Sequence, residues 1–217
     1  MISVAKVQPF LITTKYFANY FIIQAFIYRL HVQSSAHLAH AGRVGFLAVF
    51  VVDFMFFDVG GVFEHEGEPA QWIGYIESGY FKYVVHNRIT GKDYSMAFVF
   101  NGEMVGDYPF CFYGDQSDVD IVAGEDSTVY VMDGKEFNQL FEENIDTMRM
   151  GKQYAEHLFI QAYTRLLNFY RTDAQTRYEQ LVQRCPNIVQ KLPLQEIASY
   201  LRVTPTTVSS IRKKMLG

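Results

Sequence analysis

The last two dozen residues leave the least choice of fold. Residues 192–215, LPLQEIASYLRVTPTTVSSIRKKM, read as two short helices joined by a tight turn. Pro193 suits a first helical position, where its missing N–H costs nothing. Leu194, Ile197, Ala198 and Leu201 then share one face. Arg202 and Val203 make the turn, Thr204 is a good N-cap, and Pro205 repeats the helix-start signal. Val208, Ile211 and Met215 give the second helix an apolar stripe. Thr206, Thr207, Ser209, Ser210, Arg212, Lys213 and Lys214 are left facing outward. A small residue where the helices cross (Ala198), an apolar residue after the turn (Val203) and an apolar anchor ten residues beyond the small one (Val208) complete a helix-turn-helix spacing. One position departs: Arg202 stands where glycine is usual and must take the turn conformation at a cost. An ordinary helical hairpin shares the apolar pattern. The outer face separates the two readings, because small hydroxyls followed by Arg-Lys-Lys suit base edges and phosphates.

A net charge of −4 looks wrong for a DNA-facing chain until the chain is divided. Residues 149–217 carry 11 Lys and Arg against 4 Asp and Glu, whereas residues 1–148 carry 8 against 19. An acidic part is joined to a basic one, which points the basic end at nucleic acid; a solvated helical surface is the plainer alternative. The two cysteines, Cys111 and Cys185, form no CxxC and no Cys/His cluster. A structural zinc or iron–sulfur site is therefore not expected, and the usage fits a reducing cytoplasm.

Between about residues 59 and 143 the chain reads as short strands broken by turns. Residues 64–69 (EHEGEP) form a turn, 72–77 a strand, Ser78-Gly79 a tight turn and 80–86 the returning strand. Residues 94–100, 118–123 and 128–132 continue the pattern, giving a small antiparallel barrel or jelly roll. Asp133 then caps a short helix over 135–142. The longest helix is expected over 145–170, where Met148, Ala155, Ala162 and Phe169 recur every seven residues with Leu158, Phe159 and Leu166 beside them. That repeat is a coiled-coil seam and implies a dimer through Met148, Ala155, Leu158, Ala162 and Phe169, the alternative being a helix packed only on its own barrel. Residues 172–175 (TDAQ) resemble a capping box opening a further helix that Pro186 ends.

The order of barrel, long helix and helix-turn-helix resembles the Crp/Fnr family of bacterial transcription regulators, in the form seen in Bacteroidetes members. The match rests on residues 67–82 (GEPAQWIGYIESGYFK), 101–107 (NGEMVGD), 197–201 (IASYL) and 204–214, and covers about 59–215. The resemblance implies an α+β fold: an effector-sensing, cyclic-nucleotide-binding-like β-barrel (59–143), a dimerisation helix (144–171) and a DNA-binding helix-turn-helix domain (172–217). It implies double-stranded DNA and a second copy of the chain as partners, RNA polymerase as a further one, no cofactor and no catalysis. DNA-contacting positions then fall on Pro205, Thr206 and Ser210, with Thr204, Thr207, Ser209, Arg212, Lys213 and Lys214 around them. Charged side chains that the best-known member carries at such positions are absent, so its target does not transfer. The effector pocket falls on Gly106, Asp107, Gly114, Ser117 and Asp118. Family members that bind cyclic nucleotides carry Gly-Glu where Gly106-Asp107 stands, and an Arg for the phosphate where Ser117 stands. Without that guanidinium, and with Asp118 and Asp120 close by, the expected effector is not a cyclic nucleotide.

Residues 1–58 fall outside the resemblance. They hold two apolar runs, 10–30 and 44–57, each interrupted by polar residues. A signal peptide, a pair of membrane passes, non-native sequence and a poorly specified lead-in whose end pairs with the next domain are the readings open to them. The first two would make a membrane-tethered or exported sensor. A cupin-type enzyme would need several convergent histidines on the strands, and His65 and His86 stand alone.

Overall fold

The computed structural model describes residues 53–142, 145–187 and 191–216. Among these residues eight strands form two four-stranded antiparallel sheets. The strands are β1 (Asp53–Phe57), β2 (Val62–Glu64), β3 (Trp72–Ser78), β4 (Tyr80–Asn87), β5 (Lys92–Phe100), β6 (Met104–Val105), β7 (Asp120–Ala123) and β8 (Ser127–Asp133). One sheet runs β1-β8-β3-β6 and the other β2-β7-β4-β5. The turns fall where glycine or asparagine marks them. Gly79, at φ 91°, links β3 to β4, and a Cβ there would lie 2.0 Å from the Ser127 hydroxyl. Asn87 Oδ1 accepts the Ile89 and Thr90 N–H groups in the β4–β5 turn.

Phe63, Ile76, Phe81, Ile121, Val129 and Val131 fill the space between the sheets. Their alternation along the strands is what closes the sandwich, since period-two side chains put every second residue on the inner face. The end of the stretch before residue 59 pairs with the next domain, as one of its readings expected. Asp53–Phe57 pairs with β8 along its whole length, from Asp53↔Val131 to Phe57↔Ser127. The domain therefore takes in the end of the apolar run 44–57, from Asp53 onward. The readings offered for residues 1–52 lie outside the described residues.

Among the described residues six helices follow or interrupt the strands: α1 (Phe110–Tyr113), α2 (Gly134–Leu140), α3 (Ile145–Arg171), α4 (Ala174–Arg184), α5 (Leu194–Leu201) and α6 (Pro205–Leu216). Asp133 caps α2 through the Lys135 and Glu136 N–H groups. The capping box expected at 172–175 is built differently. Asp173 is the N-cap of α4, accepting from Thr176 N at 2.8 Å, while the Thr172 hydroxyl donates back to Asn168 O and finishes α3. Gln175 donates to Glu179 instead of reaching back to the cap. A carboxylate is the better acceptor for a helix N-terminus, and a threonine one residue earlier is free to bond a carbonyl four residues back. A second core joins Tyr80, Phe98 and Phe100, on β4 and β5, to the packed faces of α4, α5 and α6.

Candidate nucleic-acid interface and barrel pocket

Helices α5 and α6 meet at a turn whose Arg202 has φ 57° and ψ 47°, the left-handed conformation that the sequence required of it. Its N–H reaches Ser199 O, and the next N–H, of Val203, reaches Ala198 O at 3.0 Å. These bonds satisfy carbonyls that would otherwise be orphaned at the helix end. The Arg202 guanidinium lies 5.2 Å from the Tyr94 ring centroid. Thr204 opens α6, its hydroxyl oxygen accepting the Thr207 N–H at 3.2 Å. Ile197, Ala198, Leu201, Val208 and Ile211 are buried where the two helices cross.

The outer face of α6 is as the sequence drew it in most places. Pro205, Thr206, Ser209, Ser210, Lys213 and Lys214 are exposed, Thr204 is exposed at the helix start, and Thr207 is half-buried beside it. Ser210 donates to Thr206 O, leaving its oxygen lone pairs outward. Two residues differ. Met215 leaves the apolar stripe and is 44% exposed, the packed part of the helix ending at Ile211. Arg212 turns inward: its Nε donates to the Tyr178 hydroxyl on α4 at 3.1 Å, and one terminal nitrogen is buried with no hydrogen-bond partner among the described residues. It ties α6 to α4 and does not project from the exposed face.

Helix α3 divides into two faces. Tyr154 reaches the Tyr108 ring of the barrel, Arg165 lies 4.2 Å above the Tyr200 ring, and Phe169 sits under the Arg177 guanidinium. Opposite them Met148, Phe159, Tyr163, Leu166 and Tyr170 are more than half exposed, with the Phe159 and Tyr163 rings stacked 5.8 Å apart. Of the expected seam residues, Met148 and Ala162 are exposed and Ala155, Leu158 and Phe169 half-buried. The free stripe therefore keeps the register of Met148, Ala155 and Ala162 but is completed by Phe159 and Leu166 in place of Leu158 and Phe169.

Of the residues expected to line a barrel pocket, Gly106, Asp107, Ser117 and Asp118 come together. Gly106, at φ 145°, passes so close to β3 that a Cβ would lie 2.7 Å from Trp72 O. The Tyr83 hydroxyl bridges it, donating to Gly106 O at 2.9 Å and accepting from its N–H at 3.1 Å. Asp107 points inward. Its Oδ2 accepts from the Ser117 hydroxyl at 2.7 Å and from Asp118 N at 3.0 Å, and both Asp107 and Ser117 are buried. Gly114 stands apart, as the left-handed cap of α1, on a separate cavity of about 200 Å³ with Lys135 and Asp133 in its lining.

Glu64 joins this buried cluster and was missed by the sequence reading, which placed it in a turn. It ends β2 with its carboxylate inside, Oε2 accepting from Asp107 N at 2.9 Å and Oε1 from Trp72 N at 3.4 Å. Burial raises its pKa to about 7 against the pull of those N–H groups, and the neighbouring Asp107 adds to the rise. Asp107 is raised too, chiefly by burial. Among the described residues no ion pair includes either carboxylate. The donors of the loop are thus taken up by the chain's own carboxylates. His65 and His86 pair with Asp120 and Asp93 at the surface, and no group of three or more metal-ligand side chains comes together among the described residues. No helix among them is long and apolar enough to cross a membrane.

Residues 55–144 match the cyclic nucleotide-binding domain, and that is the class the eight-stranded sandwich defines. No curated protein matches the sequence. Solved structures do. FixK2 from Bradyrhizobium japonicum superimposes with a TM-score of 0.65 at 17% identity, covering 76% of this chain and 84% of that one. The c-di-GMP-responsive global regulator CLP of Xanthomonas campestris gives 0.53 at 16%, over 76% and 86%. A transcriptional regulator described as Crp/Fnr family from Eubacterium rectale gives 0.57 at 10%, over 76% and 78%. The chain has the Crp/Fnr-type fold, a cyclic nucleotide-binding domain followed by helices.

Proposed function

We propose that this protein is a homodimeric, sequence-specific DNA-binding transcription regulator of the Crp/Fnr type that works in the cytoplasm. The observation that carries the reading is the exposed face of α6. It presents Thr206, Ser209, Ser210, Lys213 and Lys214 behind a packed first helix and a left-handed turn. Hydroxyls there suit base edges, the two ammonium groups suit phosphates, and Arg212 holds the helix to α4. The exposed stripe of α3 supports pairing with a second copy, which would place two α6 helices on successive major-groove turns, on the order of 34 Å apart. RNA polymerase is a natural further partner for such a regulator. The effector is not a cyclic nucleotide. A phosphate entering the pocket would lose its water and meet Asp107 and Glu64 with only Ser117 and backbone donors to replace it. The same argument applies to other phosphate effectors.

The test is selection of bound sites from random duplex DNA by the full chain, followed by salt titration on the enriched site. A pseudo-palindrome is expected. Lys213→Ala and Lys214→Ala should each lower the salt slope by about 1. A library that yields no enriched sequence, or lysine variants with the parental salt slope, removes the reading.

A further inference from the structure

The helix-turn-helix unit is fastened to its own barrel. Arg184, at the end of α4, donates from its NH2 nitrogen to Glu103 Oε2 at 2.7 Å and to Phe98 O at 2.9 Å. On α5, Glu196 meets Lys82 of β4 at 2.6 Å, both side chains mostly covered. The Ser199 hydroxyl oxygen accepts the Ser95 N–H of β5 at 2.9 Å. Lys191, just before α5, pairs with Glu125 of the barrel at 2.6 Å. Beneath these contacts Phe98 and Phe100 share one core with Ile197 and Leu201.

The consequence for α5 is that Gln195 is its one exposed residue across Leu194–Leu201. The first helix of such a motif crosses the DNA backbone when the second enters the groove. Here that helix is covered on one side by α6 and on the other by β5. Two cations of the helical unit, Arg184 and Lys191, are spent on barrel carboxylates. Phosphates approaching α5 would compete with Glu103 and Glu125 for them, against the field of an acidic barrel.

We propose that the β4–β5 face of the barrel is an intramolecular brake: it covers the first helix of the motif, and the two must part before the unit seats fully on a duplex. This rests on the DNA-binding reading above. In the closed state only the open fraction of molecules is competent, so the apparent affinity is reduced by that fraction. The brake is selective, since it leaves the outer face of α6 open for a first encounter.

The experiment uses the full chain with Glu103→Gln, Ser199→Ala and a control, Glu68→Gln, which removes an exposed barrel charge away from the clamp. Amide exchange at Ser95 and across α5 reads the clamp, exchange at Ile121 and Val129 reads barrel integrity, and fluorescence anisotropy on the selected duplex reads affinity. Glu103→Gln and Ser199→Ala should speed exchange at Ser95 and α5 and tighten DNA binding roughly threefold to tenfold. Ser199→Ala carries no charge change, so its gain separates release from simple loss of repulsion, and Glu68→Gln should change affinity less than either. Faster exchange with unchanged or weaker DNA binding overturns the brake, as does unchanged exchange in both variants. If the clamp opens as expected but neither parent nor variant binds any duplex, the DNA-binding reading fails and the brake falls with it.

Discussion

Replacing Glu64 by glutamine should stabilise the protein above neutral pH and do little in acid. The carboxyl titrates near 4.5 in an open chain and near 7 when folded, because burial penalises its charge more than the Asp107 and Trp72 N–H groups favour it. Between those values the folded chain holds a proton that the unfolded chain has released. The free energy of unfolding therefore falls as pH rises from about 4.5 to about 7, then levels off. At 1.36 kcal/mol per pH unit the loss amounts to at most about 3 kcal/mol. Glutamine keeps a carbonyl oxygen for Asp107 N, the contact of 2.9 Å, and gives up the longer contact of 3.4 Å to Trp72 N. That sacrifice costs about 1 kcal/mol or less. A net gain of about 2 kcal/mol at pH 8 is expected, shrinking to zero or a slight loss at pH 5. Trp72, the only tryptophan in the sequence, sits beside the substitution and reports urea unfolding at both pH values. A residual slope of the same sign should persist in the variant from Asp107, also raised by burial. A parental midpoint that does not fall between pH 5 and pH 8, or a glutamine variant with the full parental slope, would refute the reasoning.

Cys111 is fully buried, and burial pushes its thiol up to about 12, so a thiol reagent at pH 8 should leave it unmodified until the protein unfolds. Counting labelled cysteines by mass before and after denaturant checks this. Arg202→Gly should be more stable than Arg202→Ala by about 1 kcal/mol in chemical denaturation, because both lose the Tyr94 contact but only glycine relieves the left-handed backbone. Leu166→Glu should yield monomers by light scattering, since it places an unpaired charge on the exposed stripe of α3; an unchanged dimer, or a monomer before mutation, argues against that stripe. Gly124→Ala should cost about 1–3 kcal/mol in thermal unfolding, the new Cβ falling 2.0 Å from a carbon of the Tyr80 ring.

Much of the fold was legible because local chemistry marks it. Gly79 and the run 87–91 announce turns, Asp133 announces a helix, and the apolar spacing of 194–201 and 205–211 marks the faces on which α5 and α6 pack. The failures have equally local causes. Glu64 lies in an acidic, glycine-containing run with Glu66 and Glu68, and nothing in that run says that only one of the three carboxylates turns inward. Arg212 stands four residues after Val208 and one after Ile211, so the helical period alone puts it on the packed side. Its charge argued for the surface, and the long side chain satisfies both demands by burying its stem and ending on Tyr178. Leu158 and Phe169, expected on the seam of α3, are half-buried for a related reason. A seven-residue repeat gives the spacing of a stripe, while the direction it faces depends on where Arg165 and Phe169 find their partners in the folded chain.

The shared core of Tyr80, Phe98 and Phe100 with α4, α5 and α6 bears on how such a chain can change over generations. The halves are not interchangeable parts. A barrel grafted onto another relative's helices would present aromatic rings to surfaces never shaped for them, and a barrel expressed alone would carry an adhesive patch. Drift at Phe98 or Tyr80 has to be matched by drift at Ile197 or Leu181, so sequence variation in the barrel is bound to variation in the helices packed on it. A lineage that alters its barrel is then obliged to retune its terminal helices, and tolerance to recombination should be lowest between β5 and α5.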